Sequence, residues 1–116
     1  MLLEAAADDD GLIVKLIDAF STDTDDRIEH MRGALAASDF PRIRAEAHTI
    51  KGSASQMGAD ALAEACRELE IASNLREALL IAPLLNRIQA LFEEIRAAMA
   101  SYAGNGKIES SVDTLV

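Results

Sequence analysis

Between Asp39 and Gly58 the apolar residues Phe40, Ile43, Ala47, Ile50, Ala54 and Met57 recur at intervals of 3, 4, 3, 4 and 3. An α-helix, at about 3.6 residues per turn, is the regular structure that gathers such positions onto one face. The flanking residues agree. Asp39 suits an N-cap, Pro41 falls in the first turn where a missing N–H costs nothing, and Gly58 suits the left-handed residue after a helix end.

The same spacing recurs along the chain. Leu12, Ile13, Leu16, Ile17 and Phe20, behind the acidic run Asp8–Asp10, predict a short helix over residues 10–20. Ser21 or Thr22 reads as a fresh cap, with Ile28, Met31 and Leu35 marking a second helix to about Ala37, although one kinked rod over 10–37 fits the same pattern. A helix from Asp60 to Ser73 buries Leu62, Cys66 and Leu69. Pro83 is expected in the first turn of the last helix, whose stripe is Leu84, Ile88, Leu91, Ile95 and Met99. Short connections between helices with one apolar face each give the expected fold class. It is all-α, an antiparallel four-helix bundle with a short additional N-terminal helix, spanning residues 8–102. Residues 103–116 lose the periodicity and read as a flexible C-terminal tail.

Composition supports the class and narrows the function. Hydrophobic residues make up 50% of the 116 residues but aromatics only 3%, and abundant Ala and Leu favour helix. The net charge of −9, from 20 acidic and 11 basic residues, repels nucleic acid and anionic lipid surfaces, so neither is an expected partner. No basic leader or long apolar run marks a targeting or spanning segment, and a cytoplasmic, soluble protein is expected. Cys66 is the single cysteine, which rules out an intrachain disulfide. No cofactor or metal is expected on this chain.

The chemistry concentrates on the face opposite the apolar stripe. Arg44, His48, Lys51, Gly52 and Ser55 are neighbours there in helical projection. A neutral imidazole with a free Nε2 lone pair is a competent nucleophile near neutral pH, and His48 is read as the carrier of a phosphoryl group. Arg44 and Lys51 bracket the ring with charge that would offset the added phosphate. Gly52 costs an exposed helix about 1 kcal/mol relative to alanine, in a chain that uses alanine freely. Its role is read as clearance, letting another protein's active site reach the ring. His30 lies outside the Ile28, Met31, Leu35 stripe and reads as a solvated histidine. Asp23, Asp25, Asp26 and Glu29 read as helix-dipole complements rather than metal ligands.

The run His48-x-Ile50-Lys51-Gly52-Ser53-Ala54-x-x-Met57-Gly58 closely resembles the signature of histidine-containing phosphotransfer domains. The resemblance covers roughly residues 8–102, including the helix order, the acidic opening and the Leu69-Glu70 pair. Ile50 and Met57 stand where the family most often has leucine. The resemblance implies a four-helix bundle in a bacterial two-component phosphorelay, whose histidine takes a phosphoryl group from a receiver-domain aspartate and passes it to another. It implies response-regulator receiver domains and a hybrid sensor histidine kinase as partners, with Mg2+ on the receiver. At the family position near the histidine stands Glu70, which by accepting an Nδ1–H bond would leave Nε2 free.

Two alternatives remain open at this stage. One is a helical adaptor that binds a receiver without carrying phosphate, although it would need none of His48, Lys51 and Gly52. The other is the histidine domain of a chemotaxis-type kinase. The chain contains no glycine-rich nucleotide loop, so it is read as a carrier and not as an enzyme.

Overall fold

The computed structural model describes residues 10–115, and side chains within residues 11–101. Four helices follow one another: α1 Asp10–Ala36, α2 Phe40–Gln56, α3 Asp60–Asn74 and α4 Ala78–Leu115. Helix α1 packs on α2 and α4, and α3 packs on the same two, closing a four-helix bundle. Among the described residues no helix is long and apolar enough to cross a membrane. Asp8 and Asp9 of the acidic opening lie outside the described residues.

Helix α2 follows its spacing closely. Asp39 accepts a hydrogen bond from the Arg42 amide at 3.2 Å, and Pro41 sits in the first turn. All six stripe residues, Phe40, Ile43, Ala47, Ile50, Ala54 and Met57, are buried. In α3, Leu62, Cys66 and Leu69 are fully buried, joined by Ala65 and Ala72.

The three interhelix turns share one closure. In the first, the Asp39 amide donates to Ala34 and the Ser38 amide to Leu35; Ala59 and Gly58 repeat this on Ala54 and Ser55, and Glu77 and Arg76 on Ala72 and Ser73. These crossed bonds satisfy carbonyls that a helix end leaves free, and they need a residue with positive φ. Gly58 meets that need at φ 77°, while Ser38 at 54° and Arg76 at 57° hold the same conformation with a side chain attached.

Two expectations are corrected. The break at Ser21 or Thr22 is absent, and residues 10–20 are the first turns of α1 rather than a separate helix. The buried face runs Ile13, Ile17, Phe20, Thr24, Ile28 and Met31, so Thr24, fully buried, carries it across the gap in the apolar pattern. Pro83 lies inside α4, which starts five residues earlier at Ala78, directly after the Arg76–Glu77 closure. The buried row of α4 also differs from the expected one: Ile81, Leu85, Ile88, Phe92 and Met99 are buried, while Leu84, Leu91 and Ile95 flank them. Phe92 meets Phe20 edge-on, ring centroids 6.2 Å apart, and joins α4 to α1. Over the segment expected as a tail, the backbone stays helical as far as Leu115. Extending an existing helix needs no new nucleus, so loss of amphipathic spacing does not by itself end one.

A histidine and carboxylate site on α2 and α3

Buried stripes on α2 and α3 turn His48 and Glu70 toward each other at the edge of the seam. His48 is 66% exposed at its side chain, and its Nδ1 lies 2.9 Å from Oε1 of Glu70. Glu70 follows the fully buried Leu69, and its own side chain is only 13% exposed. Its second oxygen, Oε2, lies 2.6 Å from Nζ of Lys51. One carboxylate therefore holds both the ring and the cation one turn beyond it.

Charge settles which atom carries the proton. Burial pushes the Glu70 carboxyl up, but its bonds to Lys51 and His48 outweigh burial and hold it below the ordinary glutamate range. Glu70 is thus an ionised acceptor at neutral pH, and the Nδ1–H of His48 donates to it. The ring's nucleophilic lone pair is left on Nε2, the nitrogen that Glu70 does not engage. Close by, burial pushes the Cys66 thiol up to about 12, with the Glu70 charge adding to the effect and Lys51 opposing it. Cys66 stays a neutral, buried thiol.

Lys51, read from the sequence as one of two cations bracketing the ring, is paired with Glu70. Arg44 is exposed and forms no ion pair among the described residues. Gly52 is exposed, and a Cβ placed there would meet nothing within 4 Å. Close packing does not explain this glycine.

His30 is exposed, as expected of a solvated histidine, but it is not without a partner. Its Nδ1 lies 2.9 Å from Oε2 of Glu46, whose side chain is 8% exposed. Arg27 reaches Oε1 of the same carboxylate at 2.7 Å, and Arg42 approaches Oε2 at 3.4 Å. A signal for this was present, because Glu46 stands three residues after Ile43 on the edge of the apolar stripe. A carboxylate buried there requires cationic or hydrogen-bonding partners. Asp23 pairs with Arg27 at 2.8 Å and Asp25 with Arg96 at 3.4 Å. Among the described residues no three His, Cys, Asp or Glu side chains are grouped to hold a metal ion.

Residues 15–98 match the Hpt domain family. Among solved structures the chain is similar to histidine-containing phosphotransfer protein B (HptB) from Pseudomonas aeruginosa PAO1. That match has 31% identity and a TM-score of 0.81, over 90% of this chain and 88% of the other. No curated protein matches the chain. The family match spans most of the sequence and the similar structure extends over nearly all of it, so the chain belongs to the Hpt domain family, the phosphorelay carriers of two-component signalling.

Proposed function

We propose that His48 is the residue that carries the phosphoryl group, accepting it from a receiver-domain aspartate and passing it to another receiver. The observation that supports this reading is the pairing of an exposed imidazole with an ionised, nearly buried carboxylate at 2.9 Å through Nδ1. Nε2 attacks the phosphorus of the aspartyl phosphate. The N–P bond forms as the P–O bond to the aspartyl group breaks, and its electron pair leaves on the receiver's carboxylate. Nδ1 keeps its proton throughout, and Glu70 stabilises the positive charge that develops on the ring.

The other site residues support the transfer. Lys51, held at 2.6 Å by Glu70, is within one helical turn of the arriving charge, and Arg44 adds a second cation on the same face. Gly52 leaves the approach to the ring clear. The partners are response-regulator receiver domains and a hybrid sensor histidine kinase, and the setting is cytoplasmic. Mg2+ belongs to the receiver and offsets phosphoryl charge there; nucleotide chemistry belongs to the kinase. An adaptor that never carries phosphate leaves the His48–Glu70 pair without a use.

Incubation with a phosphorylated receiver tests the reading. The expected product is acid-labile, base-stable phosphate mapped to His48 and lost from that position in His48→Gln, which should fold normally because the side chain is exposed. A wild-type chain left unlabelled by every receiver of its organism would overturn it.

A further inference from the structure

The bond that orients His48 occurs a second time. His30 Nδ1 meets Glu46 Oε2 at 2.9 Å, the same distance as between His48 and Glu70. The His30 side chain is 53% exposed, and its carboxylate partner is more deeply buried than Glu70, at 8% against 13%. A glycine again follows within one turn: Gly33 is exposed, and a Cβ placed there would meet nothing within 4 Å, as at Gly52. His30, Gly33 and Arg42 line an open depression of about 370 Å³ that also includes Glu29 and Asp39. Nε2 of His30 has no hydrogen-bond partner among the described residues.

Stability alone does not require this histidine. Arg27 at 2.7 Å and Arg42 at 3.4 Å already supply Glu46 with cations. The third bond instead fixes an exposed ring with Nδ1 inward and Nε2 available, which is the arrangement nucleophilic attack on phosphorus needs. The site faces away from His48, since positions 46 and 48 on α2 are roughly 200° apart around the helix.

We propose that His30 is a second phosphoryl acceptor, distinct from His48 and served by the α1–α2 face. The proposal rests on the phosphorelay reading for the identity of its donor, a receiver aspartyl phosphate. Nε2 of the neutral ring attacks phosphorus and the N–P bond forms. The P–O bond to the aspartyl carboxyl breaks with its electron pair on that carboxylate. Nδ1 retains its proton, and the charged ring faces Glu46. Arg42 offsets the incoming phosphoryl charge, while Glu29 and Asp39 in the same depression oppose it, so transfer to His30 is slower than to His48.

The test uses wild type, His48→Gln, His30→Gln and the double variant, each treated with phosphoramidate and with a phosphorylated receiver that labels wild type. His48→Gln is expected to retain acid-labile phosphate on His30 from both donors, and the double variant to lose it. Nitrogen-resolved NMR of labelled His48→Gln is expected to show Nε2-phosphohistidine alone, because Glu46 occupies Nδ1. Absence of label from His48→Gln, with His48 labelled in wild type, overturns the proposal and leaves the phosphorelay reading intact. Label from phosphoramidate but not from the receiver also overturns it, as does a mixture of Nδ1 and Nε2 isomers, the mark of an unoriented ring. A wild-type chain that no receiver labels on either histidine defeats both readings together.

Discussion

Glu70 bonds His48 through one oxygen at 2.9 Å and Lys51 through the other at 2.6 Å. The two contacts are coupled, because moving the carboxylate toward either partner alters its reach to the other. Lys51 is thus positioned by the same group that orients the ring. On the proposed function, an arriving phosphoryl group competes with Glu70 for the ammonium charge.

Replacing Glu70 with alanine removes both restraints at a site that is near the surface, so the fold should persist. Phosphotransfer should fall by about tenfold or more, the scale on which partners behind a reactive histidine act. Glu70→Gln keeps an acceptor for Nδ1–H but loses the charge that holds Lys51, and should lie between wild type and Glu70→Ala. Transfer rates for the three proteins decide the point; equal rates would show that Glu70 has no part in the reaction.

The pH dependence of stability follows from the lowered Glu70 carboxyl. Its folded-state pKa lies below the ordinary value of 4.5. The unfolded chain therefore binds the proton more readily. The stabilisation is fully present above that ordinary value and is lost as pH falls through the lower, folded one. Urea melts across this acid range should show wild type losing stability faster than Glu70→Gln. Parallel profiles for the two would mean that Glu70 gains nothing from its partners.

Gly52 separates stability from function. With open space where a Cβ would stand, Gly52→Ala should stabilise α2 by about 1 kcal/mol. Gly52→Gln should also fold, but its longer side chain should obstruct a receiver approaching His48. Thermal melts and transfer assays on both variants are sufficient. Normal transfer by Gly52→Gln would remove the clearance role.

Thr24 is fully buried and its hydroxyl has no hydrogen-bond partner among the described residues. Valine has the same shape and carries no polar atom to desolvate, so Thr24→Val should raise unfolding stability by about 1 kcal/mol. Chemical denaturation measures this directly. A loss of stability would reveal a bond to the hydroxyl in solution.

Features carried by short spacing were legible in the sequence. The stripe of α2, its Asp39 cap, its exposed His48 face and the Gly58 turn all lie within one segment whose period and punctuation agree. Thr24 hid the continuity of α1 because a polar residue at a buried position reads as a break. The last helix carries two adjoining apolar rows, and the row through Leu84, Leu91 and Ile95 satisfies the helical period as well as the row through Ile81, Leu85 and Phe92, so spacing alone does not choose between them. The His30–Glu46 bond joins residues on different helices, and no local pattern pairs them. Glu70 was found through family resemblance, not through anything in its immediate neighbours.

Glu46 and His48 are two residues apart on α2 and point to opposite neighbours, one accepting a bond from α1 and the other donating one to α3. Helix α2 is therefore indexed about its own axis by polar bonds on both flanks, as well as by its apolar stripe. Any roll of the helix disturbs both bonds at once. The angle at which the His48 ring meets solvent is thus set partly by the bonds that Glu46 accepts on the opposite flank of α2.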